Sequence, residues 1–116
     1  MANNIAFQPM GNTVAVFAAT ANTQGNVALI TAVSPCNQYF VFNPDKNDPV
    51  FVAYGETDSV TAVIPTDGSS AAVVAIAPYT EKTFTGPQVS ATKTVYVRII
   101  STHNNARLYI TPGEGL

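Results

Sequence analysis

Turn-forming residues interrupt this sequence at short intervals, and their spacing constrains the fold more than any other feature. Pro, Gly, Asn and Asp separate apolar runs that are only a few residues long and rich in Val, Ile, Phe and Tyr. Runs of this kind are typical of β-strands, and their close succession is typical of a sandwich or barrel. No stretch has the roughly three- to four-residue periodicity of an amphipathic helix. The sequence therefore predicts an all-β fold.

The 116 residues fit one domain. We expect a single small β-sandwich, jelly-roll-like, of about eight or nine short antiparallel strands. The ends, residues 1–9 and 112–116, hold few apolar groups, and we expect them to form extended terminal segments that are mobile in the free protein. The predicted strands are residues 13–18, 26–32, 38–43, 50–54, 62–64, 71–77, 81–85, 94–101 and 106–111.

Alternation along the last two predicted strands indicates which side chains face the core. Residues 94–101 and 106–111 place apolar side chains at every second position, the period of a strand with one buried face. The turn between them contains His103, so we expect a hairpin in which Arg107 and Tyr109 face outward. The predicted core residues of this pair are Val95, Val97, Ile99, Leu108 and Ile110.

Charged residues are scarce. They make up 10% of the chain, whereas 47% is hydrophobic and an average soluble domain has about 25% charged residues. A net charge of −2 argues against a nucleic-acid partner, because phosphates require a basic surface. No apolar run approaches the roughly 20 residues that span a bilayer, so we also expect no membrane partner. A surface with so few charges suits contact with another protein.

Histidine and cysteine offer little for catalysis. His103 is the one histidine and Cys36 the one cysteine, so the chain cannot form an internal disulfide, and most catalytic zinc sites need more imidazoles. A Cys36–His103 nucleophile and base is the remaining alternative, but no protease-like motif flanks Cys36. We expect a buried thiol and a solvated turn histidine.

Carboxylates give no clearer signal. Asp45 and Asp48 share one loop, and Glu56 and Asp58 share another, yet there is no Trp-lined pair of acids as in a glycosidase. The first loop lacks the Gly and terminal Glu of a calcium-binding loop, and residues 113–115 lack the Lys and helix of a phosphate loop. We therefore predict no catalytic residue, no metal ligand and no cofactor.

Aromatic side chains occur mainly within the predicted strands. In residues 38–43, Phe40 and Phe42 share one face of the strand, and Tyr39 and Val41 share the other. Outward tyrosines combine contact area with a polar tip and would anchor a protein partner. The candidate interaction residues are Tyr39, Tyr96 and Tyr109, together with Pro112 and Leu116 in the C-terminal segment.

Four sequence segments resemble those of small virion-associated structural proteins of tailed bacteriophages. These are FQPMGNT at residues 7–13, FVAYG at 51–55, APYTEKTF at 77–84 and ARLYITPGEG at 106–115. The LYITPGEG ending is the most distinctive of them. The resemblance covers much of the chain in order, and the sequence departs from the usual pattern around Cys36 and in the 43–49 loop.

The resemblance implies a non-enzymatic component of the phage particle, most directly a capsid decoration or cement protein. It further implies that the partners are the major capsid protein, or head–tail and tail proteins, and copies of the chain itself. An accessory protein of the tail or head–tail connector is the alternative, and a carbohydrate-binding attachment module is a third. The start of the chain lacks a signal-peptide pattern. We therefore expect synthesis in the host cytoplasm and residence in the virion.

Overall fold

The computed structural model describes residues 7–115, and all regular secondary structure within them is β-strand. The prediction of an all-β fold is confirmed, and the nine strands agree with the expected number. Their bounds are β1 (Gln8–Pro9), β2 (Val14–Ala18), β3 (Ala28–Ile30), β4 (Cys36–Phe42), β5 (Val50–Gly55), β6 (Val74–Ile76), β7 (Glu81–Val89), β8 (Val95–Ser101) and β9 (Ala106–Glu114).

The strands form two antiparallel sheets. Sheet A has the order β1-β9-β4-β7, with β2 also paired to β9, and sheet B has the order β3-β8-β5-β6. Pro9 of β1 lies opposite Gly113, and Val14 of β2 lies opposite Ile110. Because β1 and β2 pair with successive parts of β9, they act as one interrupted edge strand.

Strand pairing follows the order of a jelly roll. Four antiparallel pairs nest inside one another along the chain: β2 with β9, β3 with β8, β4 with β7, and β5 with β6. The further pairs β4 with β9 and β5 with β8 join them into the two sheets. This is a long hairpin rolled up into a double-sheet sandwich, so the predicted fold class is confirmed.

The core lies between the inner faces of the two sheets. Val95, Val97 and Ile99 of β8 and Leu108 and Ile110 of β9 are each at most 2% exposed, which confirms the core predicted from alternation. Burying each such side chain contributes about 1.5–3 kcal/mol. The same core contains Val16, Ile30, Val41, Val50, Val52, Ile76 and Val89.

The expected hairpin between the last two strands is wrong. β8 pairs with β3 and β5 in sheet B, whereas β9 pairs with β1, β2 and β4 in sheet A. The turn at residues 102–105 therefore crosses from one sheet to the other. Asn105 adopts a positive φ of 58° there, and its N–H donates to the Ala19 carbonyl at 3.0 Å. A local turn signal does not distinguish a hairpin from a crossing to the facing sheet.

The predicted terminal extensions are also wrong where the structure describes them. Pro112 lies opposite Tyr39 in β4, and Gly113 lies opposite Pro9 in β1, so residues 8–9 and 112–114 belong to sheet A. Pro112 and Gly113 are buried, because strands flank β9 on both sides. The remainder of the predicted extensions, residues 1–6 and 116, lies outside the described residues.

The segment 56–73, between β5 and β6, packs on the outer face of sheet B. Its Ala62 is 3% exposed and joins a small apolar cluster with Ala53 and Ile100, and the Ala62 N–H donates to Oε1 of Gln24 at 2.8 Å. Residues 62–64 form no strand in this described segment, and β6 is shorter than the predicted strand 71–77. The segment thus covers part of one sheet.

Gly113 allows β1 to lie against β9, and its replacement tests this docking. A Cβ at Gly113 would collide with the Gln8 carbonyl oxygen and the Phe7 ring. We expect Gly113→Ala to destabilise the protein by about 1–3 kcal/mol, measured by thermal unfolding. The matched control is Gly55→Ala, whose Cβ would meet its nearest atom, in Val60, at an ordinary 3.6 Å. Equal melting temperatures for the two variants would contradict the docking.

Candidate functional site

The outer face of sheet A carries aromatic side chains that the central core does not use. Because Val16, Val41 and Leu108 point into the core, their neighbours along each strand point outward. We call the outward aromatic residues the aromatic face, and they are Phe17, Phe40, Phe42 and Tyr109.

Register makes the aromatic face continuous across the strands. Tyr109 lies between Ala15 in β2 and Phe42 in β4. Phe40 is two residues before Phe42 on the same face and lies opposite Thr111. Side chains at such positions are near neighbours on one surface of a sheet, so the rings form a patch rather than isolated exposed groups.

Two further rings extend the patch at its margins. The Phe7 ring lies 5.7 Å from that of Phe40, and the Tyr79 ring lies edge-on to Phe42, also at 5.7 Å. Tyr79 is 61% exposed, and its positive φ of 51° is accompanied by a hydrogen bond from its N–H to the Asp45 carbonyl at 2.7 Å. The loop backbone therefore holds Tyr79 beside the face.

Two basic side chains lie over aromatic rings, one on the aromatic face and one beside it. The Arg107 guanidinium is 5.2 Å from the Phe17 ring centre, and the Lys46 ammonium is 5.8 Å from that of Tyr79. Such contacts contribute about 0.5–1 kcal/mol at exposed sites. An aromatic surface bordered by Arg107 has the composition of a protein-binding site, in which aromatic residues and Arg are enriched.

The two sheets differ in what lies over their outer faces. Segment 56–73 packs on sheet B through Ala62, whereas Phe17 and Tyr109 on sheet A remain 39% and 37% exposed. Contiguous exposed apolar patches on monomers commonly mark interaction sites. The aromatic face is therefore the strongest candidate surface in the described chain.

Two of the predicted interaction residues are not at the surface. Tyr39 is 2% exposed; its hydroxyl donates to the Pro87 carbonyl, and burial raises the pKa of its phenol. Pro112 is buried within β9. Tyr39 was assigned to the wrong face, since β4 is apolar on both sides and alternation alone does not indicate which side faces inward.

The other predicted residues lie in different places. Tyr109 belongs to the aromatic face. Tyr96 is half-buried in sheet B, opposite Leu29 of β3, and is not brought together with Tyr109. Leu116 lies outside the described residues. Sequence reasoning missed Phe17, Phe40 and Phe42 as surface residues. In β4, the alternation of Phe40 and Phe42 with Tyr39 and Val41 indicated a strand with two apolar faces.

A surface cavity of about 560 Å³ opens beside the aromatic face, where the edge strand is interrupted between β1 and β2. Phe7 and Phe40 supply rings, and polar side chains complete the wall. Thr13 and Thr111 are joined there by a hydroxyl–hydroxyl hydrogen bond of 2.6 Å. The lining residues are Phe7, Pro9, Gly11, Asn12, Thr13, Phe40 and Thr111.

Cys36 and His103 do not form a nucleophile and base pair. Cys36 begins β4 and is buried; burial and then the charge of Glu114 raise the pKa of its thiol. His103 contacts Asp45, in the loop that follows the other end of β4. β4 has seven residues, and at about 3.3 Å per residue its ends are roughly 20 Å apart.

The structure does bring His103 to the two carboxylates of the 43–49 loop. His103 Nε2 lies 3.2 Å from Asp45 Oδ2, and Nδ1 lies 3.6 Å from Asp48 Oδ2. The N–H groups of Asn47 and Asp48 donate to Asp45 Oδ1 at 2.7 and 2.9 Å. The Asn47 N–H lowers the pKa of the Asp45 carboxyl most, with smaller contributions from the Asp48 N–H and His103, against the opposing effect of burial. These three side chains are the described residues that could hold a metal ion.

Comparison with protein-family models, with curated proteins and with solved structures finds no match to this chain. Within residues 7–115, no helix is long and apolar enough to cross a membrane.

Proposed function

We propose that this protein is a non-enzymatic structural protein of a tailed-phage particle, most directly a capsid decoration or cement protein. The aromatic face on the outer side of sheet A carries this proposal. A decoration protein must present a preformed surface that binds a repeating lattice, and a rigid sheet bearing Phe42 and Tyr109 at adjacent positions fits that requirement. Its partners would be the major capsid protein and neighbouring copies of the chain.

Composition and fold support the proposal independently of the sequence resemblance to phage structural proteins. Only 10% of residues are charged, and binding interfaces are depleted in charge at their centres. Jelly rolls occur in viral capsid and lectin domains. One fold serves many functions, so the fold is compatible with a capsid role and the aromatic face is what specifies it.

An accessory role in the tail or head–tail connector would use the same face against a different partner. Copy number distinguishes the two locations. We expect hundreds of copies per particle for a capsid protein, whereas a tail or connector protein would be present in about six to a few tens of copies, following the symmetry of those structures. Quantitative mass spectrometry of purified particles, with localisation in a cryo-EM map, makes this measurement.

A carbohydrate-binding attachment module is the second candidate, and the cavity beside Phe7 and Phe40 favours it. The cavity volume of about 560 Å³ lies in the usual range for small-ligand sites, and its Asn and Thr side chains could hydrogen-bond sugar hydroxyls. Glycan-array binding that is lost in Asn12→Ala and Phe40→Ala would favour attachment over decoration.

Tyr109→Glu tests the aromatic face directly. A charge at the centre of the proposed interface is expected to weaken binding to particles assembled without the protein by about 2 kcal/mol or more, roughly 30-fold. The matched control is Leu29→Glu, which places the same charge on a side chain that is 55% exposed on sheet B. Both variants should melt close to wild type. Equal particle binding by the two variants would contradict the assignment of this face.

A further inference from the structure

A cation site at one end of the sandwich can be inferred independently of the proposed function. We propose that Asp45, Asp48 and His103 bind a divalent transition-metal ion, with Zn²⁺ the best match to the ligand set. The two aspartates come from the loop after β4, and the histidine comes from the turn that connects β8 with β9. A bound ion would therefore join two loops that are distant in sequence.

The distances suit a common ion. One ligand atom from each of the three residues lies within 4.8 Å of the other two. Zinc binds N and O ligands at about 2.0–2.2 Å in a tetrahedral arrangement, which places the ligand atoms roughly 3.3–3.6 Å from one another. The separation of 3.2 Å between His103 Nε2 and Asp45 Oδ2 is already close to this ligand–ligand distance. Asp48 Oδ2 lies at the other ring nitrogen, 3.6 Å from Nδ1, so the ring must turn for one nitrogen to share an ion with both carboxylates. The His103 side chain is 48% exposed and has room for that rotation.

Each carboxylate has one oxygen fixed by the protein and the other directed at the imidazole. Asp45 Oδ1 accepts the N–H groups of Asn47 and Asp48, which leaves Oδ2 beside His103. Asp48 Oδ1 accepts the Thr102 hydroxyl at 3.1 Å, which again leaves Oδ2 beside the ring. Outer contacts of this kind orient ligands in metal sites and strengthen ion binding.

Positive charge near these carboxylates is limited. Lys46 lies between them in the sequence, but its ammonium is over the Tyr79 ring. Within residues 7–115, the ion pairs of Asp45 and Asp48 are with His103 and not with a Lys or Arg side chain. The two carboxylates place two negative charges side by side, which a divalent ion would neutralise.

The imidazole determines which ions are expected. Ca²⁺ and Mg²⁺ are bound through oxygen ligands, whereas imidazole suits zinc and other late first-row metals. Three protein ligands leave a fourth tetrahedral position for water. We therefore expect Zn²⁺ to bind the full-length chain more tightly than Ca²⁺ or Mg²⁺.

Calorimetry and thermal unfolding of the chelator-treated full-length protein test the proposal. We expect one Zn²⁺ per chain and a melting temperature about 5 °C or more higher at saturating metal, because a ligand that binds only the folded state stabilises it. Ca²⁺ should produce a smaller shift. We expect a Kd on the order of micromolar. If the melting temperature does not change at a Zn²⁺ concentration of about 100 times that Kd, the proposal is overturned.

Variants and spectroscopy locate the ion. His103→Gln and Asp48→Asn should lose the Zn²⁺ shift, whereas Asp58→Asn, which removes the same charge from another exposed loop, should retain it. The chain contains one histidine, so the imidazole NMR signals of the wild-type protein report on the site without any substitution. Zn²⁺ binding that leaves those signals unchanged, or that persists in His103→Gln, would place the ion elsewhere and refute the site.

Discussion

The Val97→Asp variant is expected to lose a large part of the free energy of unfolding. Val97 is 2% exposed and lies in the core between Ala28 of β3 and Tyr54 of β5. Among the described residues, the core cluster around Val97 contains no basic side chain, and an uncompensated buried charge costs roughly 3–5 kcal/mol. The whole stability of a domain is only about 5–15 kcal/mol, so this single change removes a large part of it.

Urea and thermal unfolding followed by circular dichroism measure the loss. The control is Leu29→Asp, which introduces the same carboxylate on the neighbouring strand at a side chain that is 55% exposed. We expect it to change the free energy of unfolding by about 0.5 kcal/mol or less. A Val97→Asp protein with the wild-type melting temperature would mean that β8 does not present Val97 to the core.

Burial could be predicted from sequence where polar residues alternate with apolar ones. In β9, Arg107 beside Leu108 marks which face is outward, and the core assignment there is confirmed. In β4, Tyr39 and Phe40 are both aromatic, and the pattern gives two faces without saying which is inside. The inward face is determined by contact with the facing sheet. Tyr39 packs beside Phe84 of its own sheet, and the Phe84 ring stacks on Tyr54 of sheet B.

Strand partners could not be predicted from local signals. The turn that contains His103 resembles a hairpin turn, but β8 and β9 lie in different sheets. The Pro and Gly content of residues 112–114 suggested a mobile end, whereas β9 needs those residues to pair with Gln8 and Gln38. In a rolled-up hairpin, the pairing of each strand depends on distant segments, which composition does not reveal.

The candidate sites are products of this long-range pairing. Phe42 and Tyr109 become neighbours because β4 pairs with β9. Thr102 and Asp48 are 54 residues apart in sequence and are hydrogen-bonded in the structure. The sequence predicted that the chain functions through protein contact, and it indicated Tyr109. It placed Asp45 and Asp48 in one loop but did not connect them with His103, because nothing local joins that loop to the turn at residues 102–105.

Asn43 is the residue on which the 43–49 loop depends. It is fully buried, and its Nδ2 amide donates to the carbonyls of Asp48 at 3.0 Å, Ile76 at 3.3 Å and Ala77 at 3.2 Å. Its Oδ1 accepts the Asp45 N–H at 3.0 Å. The side chain thus attaches the loop to the end of β6 and satisfies backbone groups that water does not reach.

The Asn43→Asp variant is expected to lose about 3–5 kcal/mol at neutral pH. The change conserves shape and the Oδ1 acceptor, but it replaces a donor facing three carbonyl oxygens with a carboxylate oxygen. Burial and those oxygens raise the folded-state pKa of the new carboxyl above its unfolded value. Stability linked to a raised pKa is present below the unfolded pKa and is lost as pH rises through the folded pKa. The deficit relative to wild type should therefore shrink on acidification.

Urea unfolding of variant and wild type at about pH 7 and about pH 4.5 measures that difference. The Asp45 carboxyl does not interfere, because its pKa is lowered from its ordinary value of 3.8 and it stays largely ionised over this window. Asn37→Asp, at an exposed position of β4, is the matched control and should cost about 0.5 kcal/mol or less at both pH values. A deficit at Asn43 that is small, or that grows as the pH falls, would show that the amide does not donate to these carbonyls. The loop that carries Asp45 and Asp48 would then be held by other contacts.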